Sequence, residues 1–224
     1  MDKQWDAIVF TCPQRSIARA HARELKRRQQ AIERSTTSSS LRNSLVLIAE
    51  DPAARIGSGG ATFNAILVVM EHLSSLSGLS VRDPTVLEDK RIVIVHLSGS
   101  NPCEPCGKAL VSTGHPGTLS DDQNGDNSIV LPAILDRIMR QMDLFLVDAP
   151  YGIFTVATET QLLLTQNSVP DKWASLADKG VVVFTTSAEA SDVPEQQGLI
   201  VPNPQASTIQ RILFPATTEA KAQA

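Results

Sequence analysis

Cysteine is scarce and odd in number, three in 224 residues. That count argues against a disulfide framework and for a reducing compartment. No apolar run reaches the roughly 18 residues of a membrane span. The opening Met1-Asp2-Lys3-Gln4-Trp5-Asp6 begins charged and enters a short strand-like run, so it is not a secretory signal. Positive charge is in no surplus either: the net charge is −4, which argues against a nucleic-acid binder steered by its overall field. The expectation is a cytoplasmic protein with no membrane and no nucleic-acid partner. What the chain does have is ordinary globular material, 42% apolar and 20% charged residues, enough for a real core. One domain over residues 1–216 is expected, with residues 217–224 as a disordered tail.

Two periods alternate along the chain. Asp6–Thr11, Leu45–Ala49 and Arg91–Leu97 are short, β-branched apolar runs that predict buried strands. Between them, Ala18, Ala22, Leu25, Gln29 and Ile32 fall on one helical stripe within Arg15–Arg34. A second helix is predicted from about Ala61 to Ser75. A third, from about Leu131 to Phe145, aligns Leu131, Leu135, Ile138, Met142 and Phe145; Asn127 or Ser128 would cap it, with Pro132 in its first turn. Further strands are predicted at Gly152–Ala157, Val181–Thr185, Gly198–Val201 and Thr208–Phe214, the last two as an antiparallel edge around Pro202-Asn203-Pro204. Apolar strands alternating with amphipathic helices predict an α/β fold: a largely parallel, Rossmann-like sheet with helices on both faces.

The segment Arg55-Ile56-Gly57-Ser58-Gly59-Gly60-Ala61-Thr62 stands between a predicted strand and a predicted helix, the context that gives a Gly-rich run meaning. Glycines let backbone N–H groups approach an anion, and the following helix aims its positive end at the same place. Ser58 and Thr62 would add hydroxyl donors and Arg55 a bidentate charge. These residues, Arg55, Gly57, Ser58, Gly59, Gly60 and Thr62, are the expected nucleotide-binding set. There is no Gly-Lys-Ser/Thr, so the loop is no Walker A, and Thr62 stands where a dinucleotide fingerprint ends in Gly or Ala. The alternative is a tight strand-to-helix turn without a ligand.

The run Trp5–Thr11, then Glu50-Asp51-Pro52, then Arg55–Ala65 closely resembles the GDP-fucose pyrophosphorylase family. The likeness continues through Val93–His96, Gly107-Lys108-Ala109, the helix near Leu135–Met142 and Gly152–Leu164. That family includes fucose-1-phosphate guanylyltransferases and the N-terminal region of L-fucokinases. The resemblance implies a nucleotidyltransferase sheet, GTP or ATP and fucose 1-phosphate or GDP-fucose as partners, and Mg²⁺ as cofactor. It also implies an incomplete domain, since the chain stops where the family's domain continues. Guanylyltransferase members follow the third strand with Gly-Gly-x-Ser-x-Arg-x-Pro; here Ser98-Gly99-Ser100-Asn101-Pro102-Cys103 contains no arginine. Their Asp after the Gly152–Ala157 strand is matched by Glu159, a longer oxygen ligand for the metal. Both departures resemble the animal fucokinase N-terminal region. A non-catalytic nucleotide- or nucleotide-sugar-binding module, and a fragment without stable function, are the competing expectations.

Lys108, after Gly107 in the long loop beyond the third strand, is the candidate catalytic cation for the sugar phosphate. A solvated surface lysine is the plainer reading. Glu159 as metal ligand competes with a carboxylate that simply favours a helix N-terminus. Cys103-Glu104-Pro105-Cys106 has zinc-ribbon spacing but lacks a second cysteine pair, which favours incidental thiols. Seven Arg and Lys between Arg15 and Arg34 face only Glu24 and Glu33, a pattern expected of a solvated face. His21 and His72 are expected to be structural.

Overall fold

The computed structural model describes residues 4–34, 43–53, 56–80, 83–97, 133–157, 173, 181–183, 199–203, 205 and 208–213. The chain divides into two compact units, Met1–Ala177 and Asp178–Ala224. Among the described residues no helix is long and apolar enough to cross a membrane.

In the first unit the order is β1 (Ala7–Cys12), α1 (Arg15–Arg34), β2 (Leu45–Glu50), α2 (Gly57–Ser77), a 3₁₀ turn at Pro84–Leu87, β3 (Arg91–His96), α3 (Ile134–Phe145) and β4 (Gly152–Ala157). The four strands form one parallel sheet in the order β2-β1-β3-β4. Every residue of β1 is buried, as a strand flanked on both sides and covered on both faces must be. Its alternate side chains divide between two cores. Ile8 and Phe10 join Val93, Val95, Leu25 of α1 and Leu135, Ile138 and Met142 of α3. Ala7 and Val9 join Ile92, Ile94 and the Ala65, Val69 and Leu73 face of α2. The α/β architecture with helices on both faces is therefore present, and the four expected strands of this sheet lie where their apolar runs stand.

The expected stripe of α1 is rotated. Ala18, His21, Leu25 and Arg28 are buried, while Ala22 is exposed. The reason is ionic: the Arg28 side chain, only 5% exposed, donates to Asp136 of α3 and to Glu24 at 3.0 Å. The basic helix is thus not solvated on every side. Glu24 also accepts from Arg27, and that bond, more than Arg28, holds its carboxyl below the usual range.

Asp136 also sets where α3 begins. Its carboxylate accepts from the Ala133 N–H at 2.6 Å, half of a capping box, because Ala133, the N-cap, has no side-chain oxygen. The helix therefore opens at Ile134 rather than near Leu131, and Pro132 lies outside the described residues. Asn127, Ser128 and Leu131 lie outside the described residues. The rest of the predicted stripe, Leu135, Ile138, Met142 and Phe145, is buried.

In the second unit β5 (Leu199–Pro202) and β6 (Ile209–Leu213) pair antiparallel as a separate two-stranded sheet, not as an edge of the parallel one. Asn203 closes their connection, donating its N–H to the Thr208 carbonyl and accepting from the Gln205 N–H. The strand expected at Val181–Thr185 is not formed over 181–183, where Val181 is 84% exposed. A β-branched run becomes a strand only where a neighbour completes its hydrogen bonds. The expected tail, 217–224, lies outside the described residues.

Removing Asp136 strands a buried guanidinium. Asp136→Ala is expected to cost about 3 kcal/mol in urea unfolding, and Arg27→Ala, whose pair with Glu24 is exposed, under about 1 kcal/mol. Equal costs would show that the inter-helix pair is not the anchor.

Candidate functional site

In a parallel sheet all strands end on one edge, and each following helix starts there. Here α1 starts at Arg15, just beyond Cys12, and α2 starts at Gly57, beyond Glu50. Strand order also reverses at β1, with β2 to one side and β3 and β4 to the other. A crevice beyond the carboxyl ends at such a switch point is where open α/β sheets bind ligands. Two helix N-termini, each carrying a partial positive charge, start on this edge. The first turn of α1 holds no acidic residue and opens with Arg15, although the dipole disfavours a cation there. The Arg15 Nε lies 4.0 Å from a Glu50 carboxylate oxygen, both side chains being largely exposed.

The glycine run is helix, not loop. Gly57, Ser58, Gly59 and Gly60 form the first turn of α2, four residues earlier than the expected start at Ala61. Gly57 has φ of 73°, a left-handed conformation that glycine adopts without strain. This kink turns the chain directly from the strand-end loop into the helix. Ile56, the N-cap, makes no side-chain hydrogen bond, and the first-turn N–H groups have no intrahelical acceptor. A Cβ added at Gly59 would meet nothing within 4 Å, whereas one at Gly60 would come 3.0 Å from the Ile56 Cβ.

Polar bonds tie this turn to the strands. Asn64 Nδ2 donates to the Glu50 carbonyl at 2.9 Å. The Asp51 N–H donates to the Cys12 carbonyl at 2.9 Å. Thr62 donates its hydroxyl proton to the Ser58 carbonyl at 2.9 Å, and its oxygen lies 3.0 Å from His96 Nε2. The Thr11 hydroxyl lies 3.1 Å from His96 Nδ1. The one tautomer that satisfies all these contacts together has the Thr62 proton on the Ser58 carbonyl and Nε2–H donating to the Thr62 oxygen. Nδ1 is then bare and accepts from Thr11. Burial pushes the His96 pKa down, which favours this neutral form.

Thr62 is thus engaged with the protein's own groups, and the first-turn backbone and the exposed Ser58 are what face outward. Asp51 follows β2 on the same edge. One of its carboxylate oxygens is shielded from solvent with no hydrogen-bond partner, and burial pushes its pKa up. Cys12 is buried and its thiol donates to the Gln14 carbonyl at 3.5 Å. Arg55, Lys108, Glu159, Cys103 and Cys106 lie outside the described residues, and among those described no group of three His, Cys, Asp or Glu is arranged to hold a metal.

The structure brings Gly57, Ser58, Gly59, Gly60 and Thr62 together in the opening turns of α2. It adds His96 and Thr11, which the sequence reading did not place in the site. The available signal was positional: Thr11 and His96 sit side by side at the carboxyl ends of neighbouring parallel strands. Comparison with protein-family models, curated proteins and solved structures returned no match.

The His96 environment has a measurable consequence. An unfolded histidine takes up a proton near pH 6.5, but folded His96 resists protonation to lower pH. The unfolded state therefore binds more protons in that window, and stability falls as pH drops through it. The Tm is expected to be lower at pH 5.5 than at pH 7.5, with a smaller drop in His96→Gln. Identical drops in both proteins would mean that His96 titrates as it does when unfolded.

Proposed function

We propose that the carboxyl edge of the sheet binds the phosphates of a purine nucleotide or nucleotide sugar on the first turn of α2. The single observation that carries this reading is the start of α2 at a left-handed glycine, at the strand-order reversal, with its uncapped N–H groups at the carboxyl edge. Backbone N–H groups and a helix dipole suit a phosphate because its charge is spread over several acceptor oxygens. With the resemblance to the GDP-fucose pyrophosphorylase family, the parent activity is fucose salvage in the cytoplasm. A GMP unit passes from GTP to fucose 1-phosphate with release of pyrophosphate, or the same domain stands in front of a fucokinase.

Mg²⁺ fits this edge. Asp51 offers a shielded, unpartnered carboxylate oxygen, and Mg²⁺ usually takes one or two carboxylates and completes its shell with phosphates and water. Glu159 is the ligand that the family resemblance implies, and Lys108 the cation. Bound there, Mg²⁺ would neutralise phosphate charge.

A second reading, a non-catalytic nucleotide- or nucleotide-sugar-binding module, is favoured by a specific observation: Ser98–Cys103 holds no arginine. One well-placed donor at a developing charge contributes about 10²–10³ in rate. Binding at the α2 turn does not depend on that arginine.

Two experiments test this reading. GTP with Mg²⁺ is expected to raise the Tm of the chain. Gly59→Val should abolish that rise with little change in fold, since its Cβ meets nothing in the protein; a Gly59→Val variant that still responds would remove the phosphate from this turn. In the second, GTP, fucose 1-phosphate and Mg²⁺ are incubated with the chain and pyrophosphate is followed. GDP-fucose formation is expected to be very slow or absent, and to rise on restoring Arg at Asn101 together with Glu159→Asp. Ordinary enzymatic turnover by the wild-type chain would decide for the transferase over the binding module.

A further inference from the structure

We propose that His96 is the positioning residue of this phosphate-binding turn, its imidazole a two-ended strut that holds the first turn of α2 against the carboxyl end of β1. The inference rests on reading that edge as an anion site. Three side chains carry it: the Thr11 hydroxyl lies 3.1 Å from Nδ1, the Thr62 oxygen 3.0 Å from Nε2, and the Thr62 hydroxyl donates to the Ser58 carbonyl, contacts that the Nε2–H tautomer satisfies together as one directed chain. The Thr11 end is rigid, because Thr11 and His96 are partners in the β1–β3 ladder. The other end reaches into the turn that presents the N–H groups. Reversing the imidazole would need the Thr62 proton for Nε2 and take it from the Ser58 carbonyl, so the arrangement favours one tautomer.

Apolar packing is thin where α2 opens, and Ile66 is the first larger side chain to pack on the sheet. The buried residues of its opening turns are Ala61 and Ala65, while Phe63 and Leu67 are exposed by 72% and 59%. Two methyl groups bury little apolar surface and tolerate sliding. Ile56 provides no side-chain cap. Asn64 ties the turn to β2, and His96 ties it to β1 and β3. A phosphate held by several N–H groups at once is sensitive to displacements of about 1 Å, which is the scale on which the strut acts.

The test exploits the two ends of the imidazole. Glutamine places an amide nitrogen near Nε2, and asparagine places one near Nδ1. Inorganic pyrophosphate and GTP with Mg²⁺ are titrated calorimetrically against the full chain, His96→Gln, His96→Asn and the near-isosteric Thr62→Val. His96→Asn and Thr62→Val are expected to weaken binding about fivefold to tenfold, the scale of one net hydrogen bond, while His96→Gln recovers most of the affinity. Amide exchange at Ala61–Phe63 should quicken in the two weakened variants and not in the C-terminal half of α2. Nitrogen-15 spectra of the wild type should show His96 protonated at Nε2 and bare at Nδ1.

A proton on Nδ1, equal effects of Asn and Gln, or weakened binding with unaltered exchange would each overturn the strut. Thr62→Val keeps the test in force where a His96 variant does not fold. A wild-type chain that binds neither pyrophosphate nor GTP overturns the anion site instead; the tautomer and the exchange rates then judge the strut alone.

Discussion

The pairing of β1 with β2 on one side and β3 on the other is the constraint on which the first unit depends. Three parallel strands in register cannot leave either face open to water, because their side chains alternate between faces and all six of β1 are buried. Leu25 of α1 and the apolar stripe of α3 close one face, and α2 closes the other. The same parallelism places every strand end on one edge. The carboxyl edge is therefore a by-product of the core: at its centre are the ends of β1 and β3, whose preceding residues are locked in the interior.

Buried polar contacts give this apolar frame its alignment. Arg28 joins Glu24 of its own helix to Asp136 of α3, and Asp136 at the same time accepts from the Ala133 N–H. One carboxylate thus sets both the start of α3 and its pairing with α1. Arg91 plays a similar part at the opposite edge: its guanidinium lies 4.7 Å above the Trp5 ring and donates to the Leu146 carbonyl. Burial lowers its pKa despite the nearby Asp143 and Asp6. Apolar packing leaves neighbouring helices free to slide by fractions of a turn, whereas a directed hydrogen bond does not.

The strands of the parallel sheet were legible because a buried parallel strand is written as a continuous apolar run with little competing signal. Ala7–Cys12, Leu45–Glu50, Arg91–His96 and Gly152–Ala157 fall within a residue or two of their runs. What was not legible depended on partners distant in sequence. Arg28 lies on the buried side of α1, and Ala22 does not, because the partner of Arg28, Asp136, stands more than a hundred residues away. Val181–Val183 carries a strand pattern but is not in a strand. At the candidate site the glycine run was visible as composition, yet its helical state was not. Glycine weakens a helix interior, and only the left-handed Gly57 shows how the helix opens there. The His96 contacts were hidden for a different reason: Thr11, Thr62 and His96 are brought together by register and crossover, which no local pattern states.

A Gly-rich first turn exposes its N–H groups because it lacks side chains, and the same lack deprives it of packing. Ser58, Gly59 and Gly60 cannot be held by apolar contact, and Ile56 contributes no cap. The turn must be fixed from outside, by groups that do not fill the space an anion would occupy. Thr62 and Asn64 sit one turn further along α2 and reach the ends of β3 and β2. On the proposed reading Thr62 would orient the turn rather than touch the anion, a role that a hydroxyl in contact with both the Ser58 carbonyl and His96 can fill.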